Sequence, residues 1–193
     1  MTFDDITRLL ARHHPQILDV PHYTRAAVAL ILRSADSMME ILFIERAPCA
    51  GDPWSGDIGF PGGKMEPGDS DPRRTAERET KEEINLELAS CSYLGRLSDI
   101  AGAHLPVLVS CFVYGVQDTP PLVPSQEIRD LFWIRLTELT AAERHVTARV
   151  RFDGETLERP AIRLPLAGKP VLWGLTYRFV MEFLELLQGE SSR

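Results

Sequence analysis

The stretch from Phe60 to Leu86 limits what this chain can fold into more than any other. It reads Phe60-Pro61-Gly62-Gly63, then Asp69, then Arg78-Glu79-x-x-Glu82-Glu83. A glycine-rich turn therefore leads at fixed distance into a helix. At about 100° per residue, with Glu79 at zero, Glu82 falls at roughly −60° and Glu83 at roughly +40°, so all three carboxylates face one way. Ala76, Thr80 and Ile84 sit at about +60° to +140°, which places the carboxylate edge beside the buried stripe. Arg74, Glu77, Lys81 and Asn85 are expected on the solvated side. Asp71-Pro72 supplies an N-cap and a proline at the first helical position. Asn85 tolerates the left-handed conformation that ends a helix. The spacing predicts a helix over Pro72–Ile84, with Arg78 able to pair with Glu82 at i,i+4.

Three like charges on one edge repel unless a cation neutralises them. Mg²⁺ is hard and small, takes oxygen ligands, and is usually held by one or two carboxylates plus substrate phosphates. Mn²⁺ suits the same ligands. Such an ion polarises phosphoryl oxygens and lowers the pKa of bound water, and one of the glutamates could serve as general base. The Gly62-Gly63 turn allows close backbone approach and could contribute to phosphate binding. For the helix alone, a solvated Glu-rich face remains the alternative. The order and spacing of turn and helix together favour the site.

The segment FPGGKMEPGDSDPRRTAERETKEEINL resembles the Nudix box, the loop-helix-loop of the Nudix hydrolases, over about residues 63–86. Gly63, Arg78, Glu79, Glu82, Glu83 and Leu86 match the family pattern. Four departures occur: Asp69 replaces the first Glu, one extra residue separates it from Arg78, Thr80 replaces an aliphatic residue, and Asn85 replaces a glycine. The first two resemble the coenzyme A diphosphatase branch. The resemblance implies that Glu79, Glu82 and Glu83 bind divalent metal (Mg²⁺ or Mn²⁺), that Arg78 orients them, and that the Gly63 backbone lies near the metals. It implies hydrolysis of a nucleoside diphosphate linked to another moiety, with water attacking one phosphorus. It also implies an α+β fold, the α/β/α sandwich of Nudix domains with a central mixed β-sheet. Similar proteins are frequently homodimers.

The chain has 193 residues, enough for one domain (1–193) with a proper core, and 44% apolar and 25% charged content is ordinary for a globular protein. Its net charge of −7 argues against a nucleic-acid surface, which needs clustered Lys and Arg. Cys49, Cys91 and Cys111 lack CxxC spacing and read as buried or free thiols in a reducing, cytoplasmic compartment. The start MTFDDITRLL is acidic and its apolar run too short for a signal peptide, and no stretch approaches a membrane span. His14, adjacent to His13, is expected at the surface.

Along the chain, Phe3–Arg12 reads as an amphipathic helix. Strands are expected at Arg25–Leu32, Glu40–Glu45, Ser92–Leu97, Val107–Val116 and Asp130–Leu136. Between the second strand and the turn lies a Pro/Gly loop from Ala47 to Gly59. Thr137–His145 is expected as a helix. Val146–Arg163 is expected as a hairpin turning at Asp153-Gly154. A closing amphipathic helix is expected over about 172–187, with Leu172, Leu175, Phe179, Phe183 and Leu187 in the core.

Outside the box, three side chains are candidates. Glu127 precedes a strand, and similar proteins place a carboxylate in this region that assists metal binding or catalysis; a solvated loop glutamate is the alternative. Arg46 ends the second strand and could face substrate phosphates, or be a surface charge. Trp54 could stack on an adenine ring, or be a packed loop aromatic. ILFIERAPCAGDPWSGDIGFPGG partly matches the signature that coenzyme A diphosphatases carry ahead of the box: Arg46, Gly56 and Phe60–Gly63 fit. Asp52 stands where that signature has a second arginine, and would repel a 3′-phosphate if it faced one. Val171-Leu172-Trp173-Gly174-Leu175-Thr176 also resembles that branch. The implied substrate is a small nucleoside diphosphate derivative: coenzyme A or a derivative, or else ADP-ribose, a dinucleotide or a damaged nucleotide. A nucleotide-binding regulator without turnover is the third reading.

Overall fold

A computed structural model describes residues 1–191. Thr24–Ala35 (β1) is apolar over most of its length and lies at the centre of the sheet. It pairs antiparallel with Met38–Arg46 (β2) and parallel, over ten residues, with Val107–Val116 (β7). β7 is buried at every position, as a strand covered on both faces must be. Ser92–Arg96 (β5) and Ile100–Ala101 (β6) add antiparallel to β7, and Ile128–Arg135 (β8) to β2. Two short strands, Ile58–Gly59 (β3) and Gly62–Lys64 (β4), pair with β2 and β1. The described residues thus form an eight-stranded mixed sheet.

Because successive strand residues point to opposite faces, the core divides in two. Leu30, Leu32, Ile41, Phe43, Val109, Cys111 and Val113 pack toward the helices Phe3–Arg12 (α1) and Gly174–Ser191 (α4), meeting Ile6, Phe179, Val180 and Phe183. Ala27, Ala29, Ile31, Leu42, Ile44 and Tyr114 pack toward the helix Pro72–Ile84 (α2), meeting Ala76 and Ile84. This is an α/β/α sandwich around a mixed sheet.

Local chemistry sets the ends of α2. The Asp71 carboxylate accepts from the Arg74 N–H at 3.1 Å, Pro72 takes the first position, and Asn85 adopts φ 56°. Ala76, Thr80 and Ile84 are all buried, as the wheel requires. Glu77 departs from expectation: it is 6% exposed rather than solvated. The Tyr114 hydroxyl donates to it at 2.9 Å from β7, and Arg73 and Arg74 pair with it from its own helix. A buried carboxylate is tolerated because its oxygens are satisfied.

Two other expectations change in extent. The helix expected over Thr137–His145 is a short turn of helix, Leu136–Thr140 (α3), and a separate 3₁₀ turn, Ala142–Arg144. Ala141 between them is extended, and His145 opens the hairpin His145–Phe152 (β9) and Glu155–Ile162 (β10). α4 begins at Gly174 rather than Leu172, because Leu172 is tied to Ile162 in a β-bridge before the helix starts. Among the described residues, no helix is long and apolar enough to cross a membrane.

Candidate active site

β4 places the glycines. Gly62 has φ +149°, in the region that favours glycine, and a Cβ there would run into the Ala27 carbonyl and Val28 of β1. Gly63 meets the helix instead. A Cβ on Gly63 would lie 2.5 Å from the Glu79 carboxylate. The glycine pair therefore lets one strand lie flush with β1 while its next residue leaves room for Glu79.

Glu83 is 3% exposed, and the Gly62 N–H donates to its Oε2 at 2.9 Å. Burial pushes its carboxyl up to about 7, against the pull of the Gly62 hydrogen bond and of Arg46. Burial also raises Glu79, and the charges of Glu82 and Glu127 push it the same way. Glu82 stands apart. Its side chain is 57% exposed and pairs with Arg78 at 3.0 Å. The two buried or half-buried members of the edge thus lean against β4 while the third faces water. Among the described residues, no three His, Cys, Asp or Glu side chains gather closely enough to hold an ion. The donor chemistry nevertheless suits a hard cation. The Glu127 charge raises both Glu79 and Glu83, Glu79 raises Glu83 further, and an ion would relieve that excess of negative charge.

Arg78 holds the arrangement from one side. Its Nε and Nη2 donate to the two oxygens of Asp69 at 3.0 and 2.9 Å, Nη2 also reaches the Lys64 carbonyl, and Nη1 reaches Glu79 and Glu82 at 3.0 Å each. A bidentate fork fixes orientation as well as charge. Thr75 and the Glu66 N–H satisfy Asp69 further, so its carboxyl lies far below the usual range, with the Arg78 bond the largest cause. Asp69 thus ties the loop to the helix through Arg78.

From the other side, Arg46 at the end of β2 lies 3.8 Å from Glu83 through Nη1. Its Nε and Nη2 both bond Asp52 Oδ2, at 3.2 and 2.9 Å. Asp52 Oδ1 accepts from the Trp54 N–H. Asp52 is thus already neutralised by Arg46. Glu127 is exposed, yet its charge reaches Arg46, Glu79 and Glu83. Its loop is stitched to both neighbours: the Ala47 N–H donates to the Glu127 carbonyl and the Ser125 N–H to the Glu83 carbonyl, both at 2.7 Å. The Trp54 ring packs against the α1/α4 core, 6.4 Å from Phe152 of β9.

Sequence reasoning passed over Asp57. The Trp173 indole N–H donates to its Oδ1 at 3.0 Å, and burial pushes its carboxyl to about 6. This bond ties the loop before the box to the segment entering α4. The available signal was an acid beside Ile58 and Phe60, both of which are buried. Cys111 is buried, Cys91 half-buried and Cys49 exposed, all as free thiols, and His14 is exposed.

A glycine-cradled pair of carboxylates on a helix, packed on a mixed sheet between helical layers, defines a Nudix-type hydrolase. The family profile described as the NUDIX domain matches residues 22–153, and the chain belongs to the Nudix family, an enzyme of the class that hydrolyses phosphorus-containing anhydrides. It is similar to the mitochondrial coenzyme A diphosphatase NUDT8 of Homo sapiens, 29% identical over 164 residues, which cover 84% of this chain and 69% of that protein. Two solved structures share the fold. The MutT/nudix family protein from Enterococcus faecalis has TM-score 0.59 and 15% identity, covering 97% of this chain and 70% of that one. The MutT protein from Methanosarcina mazei Go1 has TM-score 0.54 and 15% identity, covering 94% and 99%.

Proposed function

We propose that the protein hydrolyses the diphosphate linkage of coenzyme A or a coenzyme A derivative, giving 3′,5′-ADP and 4′-phosphopantetheine or its acyl form, in a reaction that depends on Mg²⁺ or Mn²⁺. The observation that carries the chemistry is the pair Glu79 and Glu83, both raised by burial and by the charge of Glu127, beside Gly62 and Gly63. Similarity to a coenzyme A diphosphatase over most of this chain supports the substrate.

Glu79, Glu82, Glu83 and the backbone of Gly63 would hold the metal. When bound, it polarises the phosphoryl oxygens and makes a hydroxide-like nucleophile available near neutral pH. Arg78 keeps Glu79 and Glu82 oriented. Arg46 commits Nε and Nη2 to Asp52 and keeps Nη1, 3.8 Å from Glu83, as a donor that would meet the diphosphate oxygens. Glu127 can receive a proton from the attacking water, since it is exposed and within electrostatic reach of both glutamates.

Product analysis with Mg²⁺ or Mn²⁺ tests this across coenzyme A, acyl-coenzyme A, ADP-ribose, NADH, dinucleoside polyphosphates and oxidised nucleotides. Metal-dependent release of 3′,5′-ADP from coenzyme A is the expected result. Cleavage of a different member keeps the chemistry and moves the substrate. Binding without cleavage of any member would turn the reading to a regulator.

A further inference from the structure

Beside the Arg46–Asp52 pair, the loop before the box and the tip of the β9–β10 hairpin enclose a groove of about 440 Å³, lined in part by Asp52, Pro53, Ser55, Leu105, Arg151 and Phe152. Its floor is aromatic. Phe152 is buried, its ring centroid 6.4 Å from that of Trp54 and 6.0 Å, edge-on, from that of Trp173. Pro53 and Leu105 add apolar walls. The charged groups around it are not equivalent. Both Asp52 oxygens are occupied, one by Arg46 and one by the Trp54 N–H. Asp153 sits at the exposed hairpin tip, where water screens it. Arg151 is exposed, and among the described residues its side chain has no hydrogen bond and no ion pair. Its neighbour Arg149, by contrast, pairs with Glu158 across the same hairpin.

We infer that this groove is a subsite for the part of the substrate that carries a phosphate monoester beyond the diphosphate, with Arg151 as the residue that binds it. The inference rests on the hydrolase reading above and deepens it. The groove joins the carboxylates through one side chain: Arg46 touches Glu83 with Nη1 and Asp52 with Nη2. A nucleoside whose diphosphate lies at Arg46 can therefore extend its ring over Pro53 and Leu105 and its extra phosphate to Arg151. An unpaired guanidinium offers a phosphate a bidentate, charge-assisted contact. Asp52 lines the same groove, and an unpaired carboxylate there would repel such a phosphate. Arg46 cancels its charge, and Arg151 supplies the cation from a different element of the fold. Arg151 specifies substrate and takes no part in bond breaking.

Two measurements test this. In the first, Arg151→Gln is compared with the unaltered enzyme on coenzyme A and on dephospho-coenzyme A, which lacks the 3′-phosphate. The expected result is a KM for coenzyme A about tenfold higher with kcat unchanged, no change for dephospho-coenzyme A, and partial recovery in Arg151→Lys. Equal effects on both substrates, or none on either, would overturn the subsite. The second measurement needs no turnover. Calorimetry compares 3′,5′-ADP with 5′-AMP, and the unaltered protein is expected to bind the bisphosphate about tenfold tighter, with the preference lost in Arg151→Gln. If coenzyme A is not cleaved but that preference is present and lost on mutation, the substrate reading fails and the subsite stands. If the preference is absent, or survives in the variant, the subsite fails.

Discussion

Helix α2 and the loop from Ala47 to Asp57 meet at Arg46, yet they are held by different means. The helix end is held by short-range rules: a capping Asp71, a proline at the first position, a left-handed Asn85, and an arginine locked to Asp69 nine residues upstream. The loop has local bonds too, from Arg46 and the Trp54 N–H to Asp52, but distant partners fix where it lies. Asp57 is fixed by Trp173, Trp54 packs near Phe152, and the Ala47 N–H reaches the Glu127 carbonyl. In Nudix proteins the chemistry sits on the shared box and the substrate is read by the loops around it. The division here fits that logic: the locally determined half carries the carboxylates, and the half assembled by long-range packing borders the space where substrates differ.

The strongest way to break this comparison is to remove one carboxylate from the helix half. Glu83→Gln and Glu79→Gln are each expected to lower kcat by about two to four orders of magnitude under saturating Mg²⁺. The fold should persist, since glutamine still accepts from the Gly62 N–H and a charge is removed from a crowded edge. Steady-state turnover and thermal melting, read together, check it. Ordinary turnover in both variants would end the metal-site assignment.

Adjacent glycines separate fold from site within the helix half itself. Gly62→Ala forces a methyl group into the backbone of β1 at a left-handed φ, so a loss of about 2–4 kcal/mol in stability is expected. Gly63→Ala meets only the far end of Glu79 at 2.5 Å, which can swing away. Its urea midpoint should stay close to the unaltered protein while turnover falls about 10- to 100-fold. If both variants lost stability equally, the two glycines would share one structural role.

The helix half was legible in the sequence because helix geometry is periodic and caps are local. The edges of α1, α2 and β7 follow from a few neighbouring residues each. Glu77 was misplaced because a wheel describes one helix, and its burial depends on Tyr114, 37 residues away on β7. β4 reads as a plain glycine turn until β1 is there to pair with it. Ala141 breaks the expected helix after Thr140 because the chain must turn into a hairpin whose partner ends at Ile162. The same holds for the site. Glu79, Glu83 and Arg78 could be named from spacing. That Asp52 is cancelled by Arg46 and that Asp57 meets Trp173 could not, since both depend on where a glycine- and proline-rich loop settles.

The smallest expected effect lies in the loop half, at Asp57. Burial holds its carboxyl at about 6, with the Trp173 bond and Arg46 pulling the other way and Asp52 adding to the rise. Between pH 3.8 and about 6 the folded protein keeps a proton that the unfolded chain has released, so this group's contribution to stability falls as pH rises through that window. Asp57→Asn keeps an oxygen for the Trp173 N–H and removes the charge that burial disfavours. The full shift corresponds to about 3 kcal/mol. Partial exposure reduces this to an expected gain of about 1–2 kcal/mol at pH 8, vanishing below pH 4. Calorimetric melting at the two pH values reads the difference directly. A variant less stable than the unaltered protein at pH 8 would mean that Trp173 and Arg46 hold the ionised carboxylate more strongly than burial opposes it. The loop would then be fastened by charge rather than by packing.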